Sequence, residues 1–149
     1  MRHGRDQEAE EALRRAIHAN PSYAEAHNNL GVLLQRKGKI SEALEEFKKA
    51  VESRPDYRQA HFNLGRILVN QGNYQEGIEQ LSKTLTPVDE STPAYLYALG
   101  AACGRAGDRQ NALRYLHQAR KQASARGQAK LLTDIEEDLR TLEGSGDTR

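Results

Sequence analysis

The sequence predicts an all-α chain of antiparallel helix pairs repeated in tandem, and three observations predict it. Apolar residues recur at i, i+3, i+4 and i+7, the spacing that gathers them on one face of a helix. A Leu-Gly pair returns as Leu30-Gly31, Leu64-Gly65 and Leu99-Gly100, at intervals of 34 and 35 residues. A glycine turn follows each pair at the same distance, as Lys37-Gly38-Lys39, Gln71-Gly72-Asn73 and Ala106-Gly107-Asp108. Charged residues make up 29% of the chain and aromatics only 5%, a balance that suits half-exposed helices better than strands. A chain of 149 residues can bury one sizeable core or build a short solenoid of stacked units.

Residues 1–23 come first. Met1–Asp6 is polar and reads as a frayed tail. Gln7–Ala19 reads as a helix with Ala9, Ala12, Leu13, Ala16 and Ile17 on one broad side. Residues 24–57 hold two amphipathic patterns back to back. His27, Leu30, Gly31 and Leu34 share a face of the first; Ala43, Leu44, Phe47, Ala50 and Val51 share a face of the second. Gly31 and Ala43 are small where the two helices cross, and Pro55 stops the second helix. Ser22 with Glu25, and Asp56 with Gln59, read as capping boxes. Shifted back by one interval, the same register gives Ala9, Leu13, Ala16 and Pro21. Gln7–Ala19 is therefore the second helix of a pair that lacks its first.

Residues 58–92 carry His61-x2-Leu64-Gly65-x2-Leu68 and then Gly77-x3-Leu81. Gly77 costs about 1 kcal/mol of helix propensity, which makes this second helix the weakest element. Asp89 stands where Pro55 stood, with Pro87 nearby, and one extra residue enters Thr86–Thr92. Residues 93–126 open with Thr92 as cap and Pro93 at the first helical position. Leu96-x2-Leu99-Gly100-x2-Cys103 and Ala112-x3-Leu116 follow, the second helix running to about Ala125. Gly127 punctuates, and Leu131, Leu132, Ile135, Leu139 and Leu142 line a capping helix over residues 127–143. Residues 144–149 read as a disordered polar tail.

This pattern resembles the tetratricopeptide repeat, a 34-residue helix–turn–helix unit with the signature W-x2-L-G-x2-Y…A-x3-F…P. The first copy meets it as His27-x2-Leu30-Gly31-x2-Leu34…Ala43-x3-Phe47…Pro55, with His for Trp and Leu for Tyr. The resemblance implies a right-handed superhelical solenoid whose first helices line a concave groove. It implies a protein-interaction scaffold without catalysis that binds an extended peptide or partner segment. Removing the buried positions of the first helices leaves the groove stripe, with Glu25, Asn29, Val32 and Arg36 on the first, Gln59, Asn63, Arg66 and Asn70 on the second, and Ala94, Ala98, Ala101 and Arg105 on the third. Asn28, Phe62 and Tyr97 stand beside it in equivalent places. Free amides at Asn29 and Asn63 would hold a peptide backbone, the arginines would favour an acidic or carboxylate-bearing partner, and Phe62 and Tyr97 would anchor an apolar side chain. Asn29 and Asn63 also look like the asparagine ladder of the O-linked N-acetylglucosamine transferase repeats, a ladder that Ala98 breaks. The lysine-rich carboxylate clamp of the chaperone-tail binders is absent, because Asn28, Asn63 and Ala98 occupy its places. Two other classes stay open. One is the recognition segment of a larger enzyme such as a glycosyltransferase; the other is a self-assembly element pairing through its N-terminal helix.

Composition narrows the chemistry. A net charge of +1 offers no cationic excess to displace phosphate counterions, so no nucleic-acid partner is expected. The longest near-apolar run, Leu30–Leu34, is too short for a membrane segment, and Met1–Asn20 is too charged for a signal peptide. Cys103 is alone, which points to a reducing, cytoplasmic setting and reads as a buried thiol. His27 and His61 occupy equivalent places in adjacent repeats and read as packed rings with a polar tip. No ligand cluster implies a metal and no motif implies a cofactor. The acidic pairs Glu45-Glu46 and Glu136-Glu137 read as solvated helix faces.

Overall fold

The computed structural model describes residues 2–144, which form helices and no strand. The chain divides into two compact units, Met1–Ile67 and Leu68–Arg149. The first unit holds α1 (Arg2–Ala19), α2 (Ala24–Arg36), α3 (Ile40–Ser53) and most of α4 (Arg58–Asn70). The second holds the end of α4, then α5 (Tyr74–Ser82), α6 (Thr92–Arg105), α7 (Arg109–Ala125) and α8 (Ala129–Gly144).

In the first unit α2 packs against α3 through the pair the sequence singles out. A Cβ on Gly31 would meet the Phe47 ring at 2.6 Å, so the ring fills the space that glycine leaves. Phe47, Ala43, Leu30 and Leu34 are buried around that crossing. The second unit repeats the device with a smaller partner: a Cβ on Gly100 would lie 3.0 Å from Leu116 Cγ and 3.3 Å from the Ala112 carbonyl. Its core gathers Leu96, Leu116, Ala119, Ala123, Ile135 and Leu139, so α8 closes over α6 and α7.

The turns share one geometry. Gly38, Gly72 and Gly107 have φ of +80°, +85° and +83°, a region closed to most side chains. The amide after each glycine closes back on the carbonyl of Leu34, Leu68 or Cys103 at 2.9 Å, which satisfies a carbonyl left open at the helix end.

Several expectations are corrected. Helix α1 begins at Arg2, and residues 2–6 are helical rather than a tail. The Ser22–Glu25 capping box does not form. The cap of α2 is Tyr23, the Ser22 amide donates to Asn20 Oδ1, and the Glu25 carboxylate pairs with Arg54. Thr92 is the first residue of α6, capped by Ser91, and its buried hydroxyl accepts from the Asp89 amide at 2.8 Å. Gly144 ends α8 instead of opening the tail, while residues 145–149 lie outside the described residues. Helix α5, built on the unfavourable Gly77, is the shortest at nine residues.

Candidate functional site

On α2 and α4 the first unit presents the exposed residues Asn29, Val32, Arg36, Gln59 and Arg66. Val32 is 41% exposed although aliphatic. Asn29 has no hydrogen-bond partner among the described residues, so its amide is open to solvent as donor and acceptor. Arg66 has no carboxylate partner among them, and its guanidinium stands 5.4 Å from the centroid of the Phe62 ring. That stack holds a cation over an aromatic face and leaves its N–H edges outward.

Other residues of the predicted groove already have partners within the fold. Asn28 is buried, not a groove contact. Its Oδ1 accepts from Asn63 Nδ2 at 3.0 Å, and its own Nδ2 faces Tyr57 Oη at 3.4 Å. The Asn63 amide is therefore half used in tying α4 to α2, and is not a free ladder rung beside Asn29. Arg36 pairs with Asp6 of α1. In the second unit Tyr97 donates its hydroxyl to Asp138 Oδ2 at 2.7 Å, so it anchors α8 instead of waiting for a ligand. Burial, then that carboxylate, push its phenol well above the ordinary tyrosine value. Arg105 is exposed and donates Nη1 to Asn70 Oδ1 at 2.7 Å. Ala101, one turn before it, is exposed.

The histidines form a structural device that sequence reading reached only in part. His27 Nε2 lies 2.7 Å from the Pro21 carbonyl, and His61 Nε2 lies 2.7 Å from the Pro55 carbonyl. Each ring thus ties the first turn of a first helix to the proline that ends the preceding helix. His27 Nδ1 lies 2.6 Å from Glu46 Oε2, which removes Glu46 from the solvated face assigned to it. Both nitrogens of His27 thus have an oxygen partner, Nδ1 at the Glu46 carboxylate and Nε2 at the Pro21 carbonyl. Burial pushes the Glu46 carboxyl up, but the hydrogen bonds from His27 and Lys49 prevail and hold it below its ordinary value. Burial also pushes the Cys103 thiol up, consistent with a packed side chain rather than a nucleophile. No group of three or more His, Cys, Asp or Glu gathers among the described residues. No described helix is long and apolar enough to cross a membrane.

Two sequence models of the tetratricopeptide repeat match, one over residues 30–95 and one over residues 1–38. The chain is a tetratricopeptide-repeat protein. No curated protein sequence matches this repeat protein. Solved structures do. It is similar to a structure described as "MamA RS-1 ArsTM double mutant", at 18% identity over 99% of this chain and 90% of that one, with a TM-score of 0.71. A "Crystal structure of MamA" aligns at 17% identity over 98% and 93%, also at 0.71. YrrB, described as "a TPR protein with an unusual peptide-binding site", aligns at 22% identity over 91% and 76%, at 0.65. At these identities the likeness is one of fold, an all-α helical repeat.

Proposed function

We propose that the exposed face of α2 and α4 binds an extended peptide carrying a carboxylate, and that the protein is an interaction module rather than an enzyme. The observation that carries this reading is Arg66, exposed, stacked on Phe62 and without a carboxylate partner among the described residues. A buried structural arginine would be paired; one propped on an aromatic ring and facing water is set for a planar anion. Asn29 lies on the neighbouring helix with both amide functions open, suited to the N–H and C=O of a strand-like backbone. Val32, one turn further along α2, adds an apolar contact. The bond between Asn28 and Asn63 ties these two helices together, which lowers the ordering cost of binding. The peptide-binding site of YrrB supports the class of ligand, not its identity.

Calorimetric titration with a peptide selected from a random library tests the proposal. Loss of one charge-assisted hydrogen bond costs about 1.5–3 kcal/mol, roughly ten- to hundred-fold in affinity. Arg66→Ala weakens an acidic peptide by that factor and leaves the thermal midpoint unchanged. Equal affinity of wild type, Arg66→Ala and Asn29→Ala would place the binding surface elsewhere.

A further inference from the structure

The second unit holds a cleft of about 300 Å³ between α6 and α8, with apolar walls from Gly100, Ala101, Gly104, Leu116 and Leu142 and with Arg105 at its edge. We propose that this cleft takes one aliphatic side chain of an extended peptide whose neighbouring carboxylate pairs with Arg105. The proposal rests on the reading that the chain binds peptides and adds a second site to it.

Gly104 is the residue that needs explaining. Gly100, one turn earlier, is required by the close approach of Leu116. Gly104 has no such reason: a Cβ there would meet only Ala112 Cβ, at an ordinary 3.8 Å, and its φ is not positive. The same register position holds Gln35 in the first repeat and the buried Val69 in the second. The third repeat thus gives up a side chain, and some helix propensity, where the fold accepts one. The consequence is the open space against Leu142 of α8. Its size lies at the low end of ligand pockets, about 300–1,000 Å³, and leaves room for an aliphatic side chain.

Charge names the rest of the ligand. Arg105 is exposed, and its one partner among the described residues is the neutral Asn70 Oδ1. That bond aims the guanidinium and leaves its remaining donors for a planar anion. Asp138, an anion that also lines the cleft, is committed to the Tyr97 hydroxyl, and Arg105 is the cation of this lining that an incoming carboxylate can pair with.

The test is selection of a phage-displayed random dodecapeptide library on the full chain, each enriched peptide then being titrated against Gly104→Val and Arg105→Gln. Valine restores the side chain of the second repeat, so the melt holds or rises while the cleft is filled. Enriched peptides that pair an aliphatic with an acidic residue, and lose about tenfold or more on both variants, support the proposal. Arg105→Gln, which leaves packing untouched, keeps the test decisive if Gly104→Val does not fold. Peptides that bind both variants like wild type overturn the cleft and leave the α2–α4 reading standing. Enrichment of nothing overturns both. Sedimentation showing that Gly104→Val turns a dimer into a monomer assigns the cleft to a second copy and overturns the peptide.

Discussion

Gly31 and Glu46 show how much of this molecule is decided by single atoms. A side chain at Gly31 has to displace the Phe47 ring, which is wholly buried, so Gly31→Leu overpacks the α2–α3 crossing. Overpacking of this kind costs about 1–3 kcal/mol, and the thermal midpoint falls accordingly. A raised midpoint, as leucine's better helix propensity alone would give, contradicts the crossing. Glu46 is the carboxylate that the buried His27 ring faces through Nδ1. Glu46→Ala leaves Nδ1 of a buried ring without its partner and costs about 2–3 kcal/mol. The folded carboxyl is held below its ordinary value of 4.5. Its contribution is therefore whole above that pH and is lost as pH falls through the folded value. The wild type therefore loses more stability in acid than Glu46→Ala does, as pH-dependent thermal melts would show. Equal acid profiles contradict the Glu46–His27 contact.

Among the elements, α1 is held differently from the rest. It contributes no fully buried residue, and its ion pairs include Asp6 with Arg36 of α2 and Glu10 with Lys37, just past the end of α2, at 2.6 Å. The hydrogen bonds from Lys37 and then Arg14 bring the Glu10 carboxyl down to about 2. Its pairing is complete above the unfolded value of 4.5 and is lost as pH falls toward 2, and exposed pairs are also screened by salt. Amide hydrogen exchange therefore finds α1 opening before α2 and α3, earlier still at about pH 3 or in molar salt; protection of α1 equal to that of α3 under those conditions contradicts this. The helix pairs, their glycine turns and the crossing positions were legible in the sequence, because a 34-residue interval and a Leu-Gly pair repeat without help from distant residues. The extent of α1 was not, since Arg2–Asp6 has no apolar pattern and is helical beside partners on α2 that lie 30 residues away, as Arg36 does from Asp6. The site was legible only as a face. Helical spacing put Arg36 on the exposed stripe and Asn28 and Tyr97 beside it, but whether each amide, hydroxyl or guanidinium is already paired depends on Asn63, Asp138 and Asp6, each at least 30 residues distant along the chain.

For the molecule as a whole, the near-zero net charge leaves recognition to local groups instead of a broad field. The repeats supply rigid helices at fixed register, and function rests on what their exposed residues offer. If that is right, a bound peptide perturbs a particular subset of amides. The most direct measurement is a chemical-shift map of the isotope-labelled protein titrated with a library-selected acidic peptide. The account predicts shifts at the side-chain amide of Asn29, the backbone around Val32, and the guanidinium of Arg66, with α3 and α7 silent. Shifts confined to α3 or α7, with Asn29 and Arg66 unmoved, would contradict it.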